Sequence, residues 1–239
     1  MMIRSSDAYK EFFNAAYMMG PNSIRLLDEL LCKVRIPPNA RVLDLGCGTG
    51  LTSLFLAKET SAQVFATDLW ISATDNYHRF LQWDISETVI PVHADANDLP
   101  FSDEYFDYIV SVDVLHYFSN QSKFFQRKIL PLLKPGGTAL FTMPGLKVDF
   151  DGNEPPDVKE WASGENNEYP YYHSCQWWRR NLGENADMAS IEIWEMENFD
   201  IAWQEWLQSG HPYSVRDRAF FQTGIDQHLN FVGAIVKKK

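Results

Sequence analysis

Residues 41–50 read Arg-Val-Leu-Asp-Leu-Gly-Cys-Gly-Thr-Gly, and no other stretch restricts the fold as strongly. Val42, Leu43 and Leu45 form a short apolar run, the mark of a parallel strand buried on both faces, with Asp44 interrupting it near its end. Three glycines follow at alternate positions, and from Leu51 the apolar residues Leu51, Leu54, Phe55, Leu56 and Ala57 take helical spacing. Strand, glycine turn and helix in succession is how an α/β sheet builds a nucleotide pocket at a helix N-terminus. Glycine serves there because it accepts positive φ and lets a ligand approach bare backbone. An ordinary tight βα turn is the plainer reading, but three glycines exceed what it needs.

The glycines fall as G-x-G-x-G, with Leu51 where a dinucleotide-binding G-x-G-x-x-G would place its third glycine. Val64-Phe65-Ala66-Thr67-Asp68 reads as a second strand ending in an acid, close to the distance expected for a ribose-binding carboxylate. Asp68 also suits a helix N-cap, since Asp is favoured there. Beside the glycine turn, the ribose role is the stronger of the two.

The stretch Asp44-Leu45-Gly46-Cys47-Gly48-Thr49-Gly50 resembles motif I of the class I S-adenosylmethionine (SAM)-dependent methyltransferases. The similarity continues through Asp68, residues 95–101 (Asp-Ala-Asn-Asp-Leu-Pro-Phe), Phe106-Asp107-Tyr108-Ile109-Val110 and Leu133-Lys134-Pro135-Gly136-Gly137. These are ordered blocks over about residues 38–145, and the Leu-Pro-Phe and Phe-Asp forms are similar to the small-molecule branch, including ubiquinone- and menaquinone-biosynthesis methyltransferases. The resemblance implies a Rossmann-like α/β fold whose mostly parallel seven-stranded sheet has an antiparallel C-terminal edge. It implies SAM as cofactor, held by Asp44, Gly46, Cys47, Gly48 and Gly50 of the turn, with Asp68 on the ribose. Asp95 then accepts from the adenine amine, Ala96 donates its backbone N–H, and Val112 closes the set at the end of the fourth strand. Leu69 and Trp70 offer apolar surface that could sandwich an adenine, although Trp70 suits a core position equally well. Tyr17 and Met18, in an N-terminal segment that folds over the cofactor in related enzymes, are lid candidates.

Along the chain, one unit is expected over 1–239: a helical preface or lid (1–37), a SAM-binding core (38–144), a substrate cap with the sixth strand (145–228), and a final strand and tail (229–239). Aromatic spacing predicts a helix over 7–20, broken by Gly20-Pro21, and a second capped by Asn22 or Ser23. Helices are predicted near 51–59 and 72–85, and Pro91 marks the strand at 89–94 as an edge. A helix over 121–133 leads through Pro135-Gly136-Gly137 into a fifth strand. Residues 145–173, rich in Gly, Asn, Pro, Asp and Glu, read as a long binding loop or lid. Ser174 caps a helix closed by Gly183; a strand near 188–196, helices near 199–207 and 214–223, and a last strand at 229–236 complete the chain.

A net charge of −11 argues against a nucleic-acid partner, and the one basic run, Lys237-Lys238-Lys239, is more simply a solvated end. The N-terminus lacks the charged start and apolar run of a secretory signal, and no segment has the apolar length of a membrane span. A cytoplasmic monomer or homodimer without membrane association is therefore expected. Cys32, Cys47 and Cys175 are too scattered for a disulfide framework or zinc site; Cys47 is simply a small residue in the turn, and no metal is predicted.

The resemblance implies methyl transfer to an O, N, S or C atom of an unidentified small molecule. SAM arrives already activated, so the protein's task is chiefly to position the acceptor, with a general base needed only where a proton must leave. His116, beyond the fourth strand, and His173, in the cluster Tyr169-Pro170-Tyr171-Tyr172-His173, are the catalytic candidates, with Tyr117 beside them. The plainer reading makes His116 a wall residue of the pocket. Six of the eight tryptophans fall after the nucleotide core and serve either cap packing or an acceptor pocket suited to an aromatic or a cationic amine. Two other readings stand beside the enzyme: a non-catalytic SAM sensor or scaffold, and a nicotinamide-dependent oxidoreductase, which the glycine spacing disfavours.

Overall fold

The computed structural model of the protein describes residues 6–163, 168–183 and 188–239. After α1 (Ser23–Lys33), the chain runs through β1 (Arg41–Leu45), α2 (Leu51–Thr60), β2 (Gln63–Asp68), α3 (Ala73–Gln82) and β3 (Val89–His93). It then crosses back to β4 (Phe106–Val112) and β5 (Leu133–Leu146). Helices α4 (Pro156–Ala162) and α5 (Cys175–Gly183) precede β6 (Met188–Glu195); α6 (Phe199–Gln208) and α7 (Pro212–Phe221) lead to β7 (Leu229–Lys238). The strands form one sheet in the order β3-β2-β1-β4-β5-β7-β6. Strands β1 to β5 pair in parallel, while β7 is antiparallel to both β5 and β6. The antiparallel pairing is thus confined to the C-terminal end of the sheet.

Alternate strand residues enter two cores. Val42, Val64, Val110 and Leu140 face one way, with Leu26, Leu30, Phe55 and Trp206. Leu43, Phe65, Ile109 and Phe141 face the other, with Phe125, Leu130 and Trp178. Covering both faces is what requires continuous apolar runs in parallel strands. Pro91 is tolerated because β3 is an edge strand. Chain order reverses between β1 and β4, which opens a crevice beyond the strand carboxyl ends where ligands of such sheets bind.

Several expected elements take another form. The helix expected over 7–20 is a 3-10 helix, Ser6–Phe12, followed by turns. Asn14 Oδ1 accepts the Ala16 N–H at 2.9 Å, a local side-chain bond that competes with helix. The rings then gather at one point: Tyr9 lies edge-on to Phe55, and Phe12 and Tyr17 edge-on to Trp83. The helix expected over 121–133 is a π-helical turn, Phe125–Ile129, followed by a 3-10 turn, Leu130–Leu132. Pro131 accounts for this, since it supplies no N–H and its ring clashes with regular helix before it. Residues 145–173, expected to be a loop, contain α4 and a 3-10 turn at Tyr169–Tyr171; residues 164–167 lie outside the described residues. The basic C-terminal run is not simply solvated, because Lys238 Nζ donates to the Leu133 carbonyl at 2.6 Å. Among the described residues, no helix is long and apolar enough to cross a membrane.

Candidate functional site

A cavity of about 220 Å³ lies beyond the carboxyl ends of β1, β2 and β4. The glycine turn forms its base, with Gly46, Gly48 and Gly50 at φ 74°, 55° and 94°. The Gly46 and Cys47 N–H groups both donate to the Thr67 carbonyl, tying the turn to the end of β2. A Cβ on Gly46 would come within 2.3 Å of Val114, and one on Gly48 within 2.9 Å of Met19 Sδ. Because Val114 and Met19 also line the cavity, these two glycines bring its walls close to bare backbone. Gly50 serves packing: its Cβ would meet Phe80 at 2.4 Å, and Gly50 does not line the cavity.

Asp44 lies beneath the turn rather than in the cavity wall, buried, with Oδ2 accepting Thr52 and Ser53 hydroxyls at 2.6 Å each. Burial pushes its carboxyl up to about 6, against the pull of the Ser53 and Thr52 hydrogen bonds. Asp68 accepts three backbone N–H groups: Gly48 on Oδ2 at 2.8 Å, and Trp70 and Ile71 on Oδ1 at 2.7 and 2.8 Å. It therefore caps the turn after β2 and shapes the glycine loop, and one acceptor position on Oδ2 is left for a ligand. The N-cap of α3 itself is Ser72. Buried Asn76, which sequence reasoning missed, donates to the Gly48 carbonyl at 2.9 Å and so clamps the loop from α3.

At the end of β3, Asp95 Oδ1 accepts from the Asn97 backbone and side chain at 2.8 and 3.0 Å, leaving Oδ2 open. The Ala96 N–H has no acceptor among the described residues. Three apolar side chains at the cavity are unusually exposed: Met19 at 44%, Leu69 at 50% and Trp70 at 69%. An acceptor beside a glycine loop, an acceptor and a donor side by side on an adjacent strand end, and bare apolar faces between them fit an adenosine. Val112 and Leu45 also line the cavity.

The opposite wall is residues 17–21, held down by Thr49 Oγ1 donating to the Tyr17 carbonyl. Behind it, buried Arg25 forks onto Glu205 of α6, with Nη2–Oε1 at 2.7 Å and Nε–Oε2 at 3.0 Å. The N-cap Asn22 donates to the same Glu205 at 2.6 Å, and Arg25 also holds Ser6 and Asp7. An anchored α1 thus positions a wall whose own backbone is irregular.

Past β4 the chain supplies Asp113, Val114, Tyr117 and Phe118 to the cavity. Asp113, at φ 62°, belongs to the segment after the fourth strand that the sequence points toward the site, although it was not singled out there as a site residue; its signal was its place as the first residue beyond the strand. Burial and then the charge of Glu168 push its carboxyl well above the ordinary range. His116 is fully buried behind Tyr117, rings 4.0 Å apart, and lies outside the cavity lining. His173 also lies outside it, stacked at 3.7 Å on Trp177. Burial lowers the two imidazoles to about 3 and about 4, so both are neutral near pH 7. None of the six late tryptophans lines this cavity. Among the described residues, no group of three or more His, Cys, Asp or Glu side chains is placed to hold a metal.

Residues 43–141 match the methyltransferase domain family. The chain is 30% identical over 133 residues to glycine/sarcosine/dimethylglycine N-methyltransferase of Actinopolyspora halophila, covering 55% of this chain and 23% of that protein. It is 37% identical over 106 residues to the human mitochondrial arginine-hydroxylase NDUFAF5, covering 43% of this chain and 28% of that protein. The chain therefore spans about a quarter of the length of these two relatives. In fold it is similar to Haemonchus contortus phosphoethanolamine N-methyltransferase 2, solved with S-adenosylhomocysteine, at TM-score 0.72 and 22% identity over 97% of this chain and 56% of that one. Residues 43–141, which carry the glycine turn and the acids at successive strand ends, thus form a methyltransferase domain on a fold shared with class I methyltransferases.

Proposed function

We propose that the chain transfers a methyl group from SAM to a small-molecule acceptor, with the described elements acting as one catalytic unit. The observation that carries this is the meeting, in one cavity, of the Asp68-braced glycine turn with Asp95 and Ala96. In this reading the open position on Asp68 Oδ2 takes a ribose hydroxyl, and Asp95 Oδ2 with the Ala96 N–H takes the adenine edge. Leu69 and Trp70 cover the adenine, and Gly46 to Gly48 make room for the amino-acid portion. Asp44 acts from beneath, fixing the first turn of α2 through Thr52 and Ser53.

When bound, SAM supplies a methyl group already activated on a sulfonium sulfur. The chain's residues have two remaining tasks. The wall at 17–21 excludes water, and the Asp113–Phe118 segment holds the acceptor in place, a contribution of proximity rather than covalent chemistry. Neutral, fully buried His116 supports that segment, and neutral, half-buried His173, stacked on Trp177, supports the cap behind it.

Calorimetric titration with S-adenosylhomocysteine and with NAD tests the cofactor half of the proposal. Stoichiometric S-adenosylhomocysteine binding with NAD at least about 100-fold weaker, roughly 2.7 kcal/mol, is expected. Absence of the first, or preference for NAD, overturns it. Methyl-labelled SAM and a small-molecule pool, read by product mass, test the transfer itself. Product must be read directly, since one matched relative is an arginine hydroxylase and a fold of this kind hosts several chemistries.

A further inference from the structure

We infer that the acceptor site is built for a small amine, taken up in its ammonium form by the Asp113 carboxyl group beside the aromatic rings of Tyr117 and Trp70. The inference rests on the methyl-transfer reading and narrows its substrate. The charged residues lining the cavity are Asp68, Asp95 and Asp113, with no Lys, Arg or His among them. Asp68 and Asp95 have places at the cofactor; Asp113 does not, and 28% of its side chain remains accessible.

His116 supplies the independent observation. It is completely buried, and neither ring nitrogen has a hydrogen-bond partner. Nδ1 stands 3.9 Å from Asp113 Oδ1, and Nε2 stands 4.0 Å from Glu168 Oε2, both too far for a hydrogen bond. Glu168 in turn accepts from Tyr117 at 2.8 Å and Tyr172 at 3.4 Å. Among the described residues, no Lys or Arg comes within ion-pair distance of Asp113 or Glu168. The region thus holds two carboxyl groups and a buried imidazole without a cation, and of these Asp113 alone lines the cavity, where a ligand can supply the missing charge.

Trp70 and Tyr117 line the same cavity, edge-to-face at 5.8 Å, and Tyr171 lies 6.0 Å beyond Tyr117. A carboxylate beside aromatic faces attracts an ammonium through both charge and ring quadrupole. It repels an acid and gives a neutral alcohol no ion pair. Asp113 also solves the proton problem of an amine acceptor. An ammonium and a carboxylate become a neutral amine and a carboxylic acid, freeing the nitrogen lone pair and leaving the proton on Asp113.

The test titrates the S-adenosylhomocysteine-saturated chain, and separately the free chain, with phenethylamine, 2-phenylethanol and phenylacetate. Phenethylamine is expected to bind at least about tenfold tighter than the alcohol, with phenylacetate weakest. Asp113→Asn keeps the side-chain shape and tolerates positive φ. It should erase the preference while leaving S-adenosylhomocysteine affinity within about twofold, a change of roughly 0.4 kcal/mol. Tyr117→Phe, which keeps the ring and removes its bond to Glu168, should retain the preference. Equal or stronger binding of the alcohol or acid, or no binding of the amine, overturns the inference. So does an Asp113→Asn variant that loses cofactor product as severely as amine. Failure of wild-type chain to bind S-adenosylhomocysteine is a separate result, which removes the methyl-transfer reading instead.

Discussion

Replacing Asp68 with Asn changes two oxygens by one atom, and the geometry gives the consequence. The amide oxygen can occupy the Oδ1 position and keep the Trp70 and Ile71 N–H bonds at 2.7 and 2.8 Å. The amide nitrogen then faces the Gly48 N–H, which donates to Oδ2 at 2.8 Å in the native chain, so donor meets donor. A hydrogen bond to a charged group contributes about 1.5–3 kcal/mol. Stability should fall by about that amount, and the glycine turn should loosen. The acceptor position for the ribose is lost with the same oxygen, a second loss of about 1.5–3 kcal/mol, or roughly 12- to 150-fold in affinity. Urea unfolding measures the first effect and calorimetric titration with S-adenosylhomocysteine the second. A folded Asp68→Asn chain that binds S-adenosylhomocysteine within about threefold of wild type, roughly 0.65 kcal/mol, refutes the placement of the ribose at Asp68.

Trp70→Ala should separate binding from folding. A side chain 69% exposed contributes little to stability, within about 0.5 kcal/mol, while S-adenosylhomocysteine affinity drops by about 0.5–1.5 kcal/mol through loss of the aromatic face, as unfolding curves and titrations will read. Asp44 gives a pH signature. Its folded carboxyl titrates at about 6 against an ordinary 3.8, so between those values the folded chain holds a proton the unfolded chain has lost. Stability contributed by that proton is fully present below pH 4 and disappears by pH 6, a fall of about 3 kcal/mol; Asp44→Asn should flatten this part of a urea-unfolding series at successive pH values. Glu205→Ala leaves buried Arg25 with only Asp7 and Ser6, at a cost of about 3 kcal/mol. Thermal melts should drop by roughly 6–12 °C, with S-adenosylhomocysteine binding weakened because α1 anchors the cavity wall.

The centre of the fold was legible because local chemistry and tertiary position agree there. Val42 to Leu45, the glycines and Leu51 onward each have one natural conformation, and β1, its turn and α2 follow. Asp68 was legible as an acid at a strand end, but both of its readings contain part of its geometry. The carboxylate caps a turn and still faces the cavity. Asn76 was not legible, since its partner is a carbonyl 28 residues away, reached only when α3 packs on the loop. The preface and residues 121–133 carried helical spacing that Asn14 and Pro131 override locally. His116 was placed correctly in chain order, yet the turn after β4 puts Asp113 at the cavity and His116 behind Tyr117. Which of six consecutive residues faces a ligand depends on Asp113 taking a positive φ, and Asp is among the residues that tolerate it.

The central claim is that this cavity binds the adenosine of SAM through Asp68 on one strand end and Asp95 on the next. A crystal structure of the chain with S-adenosylhomocysteine tests it most directly. The account predicts a ribose hydroxyl within about 3 Å of Asp68 Oδ2, and the adenine amine at a similar distance from Asp95 Oδ2. It also places the adenine ring between Leu69 or Trp70 and the Ala96 backbone, with the sulfur on the side of Asp113 and Tyr117. Adenosine bound elsewhere, or seated here without contact to either acid, would contradict it.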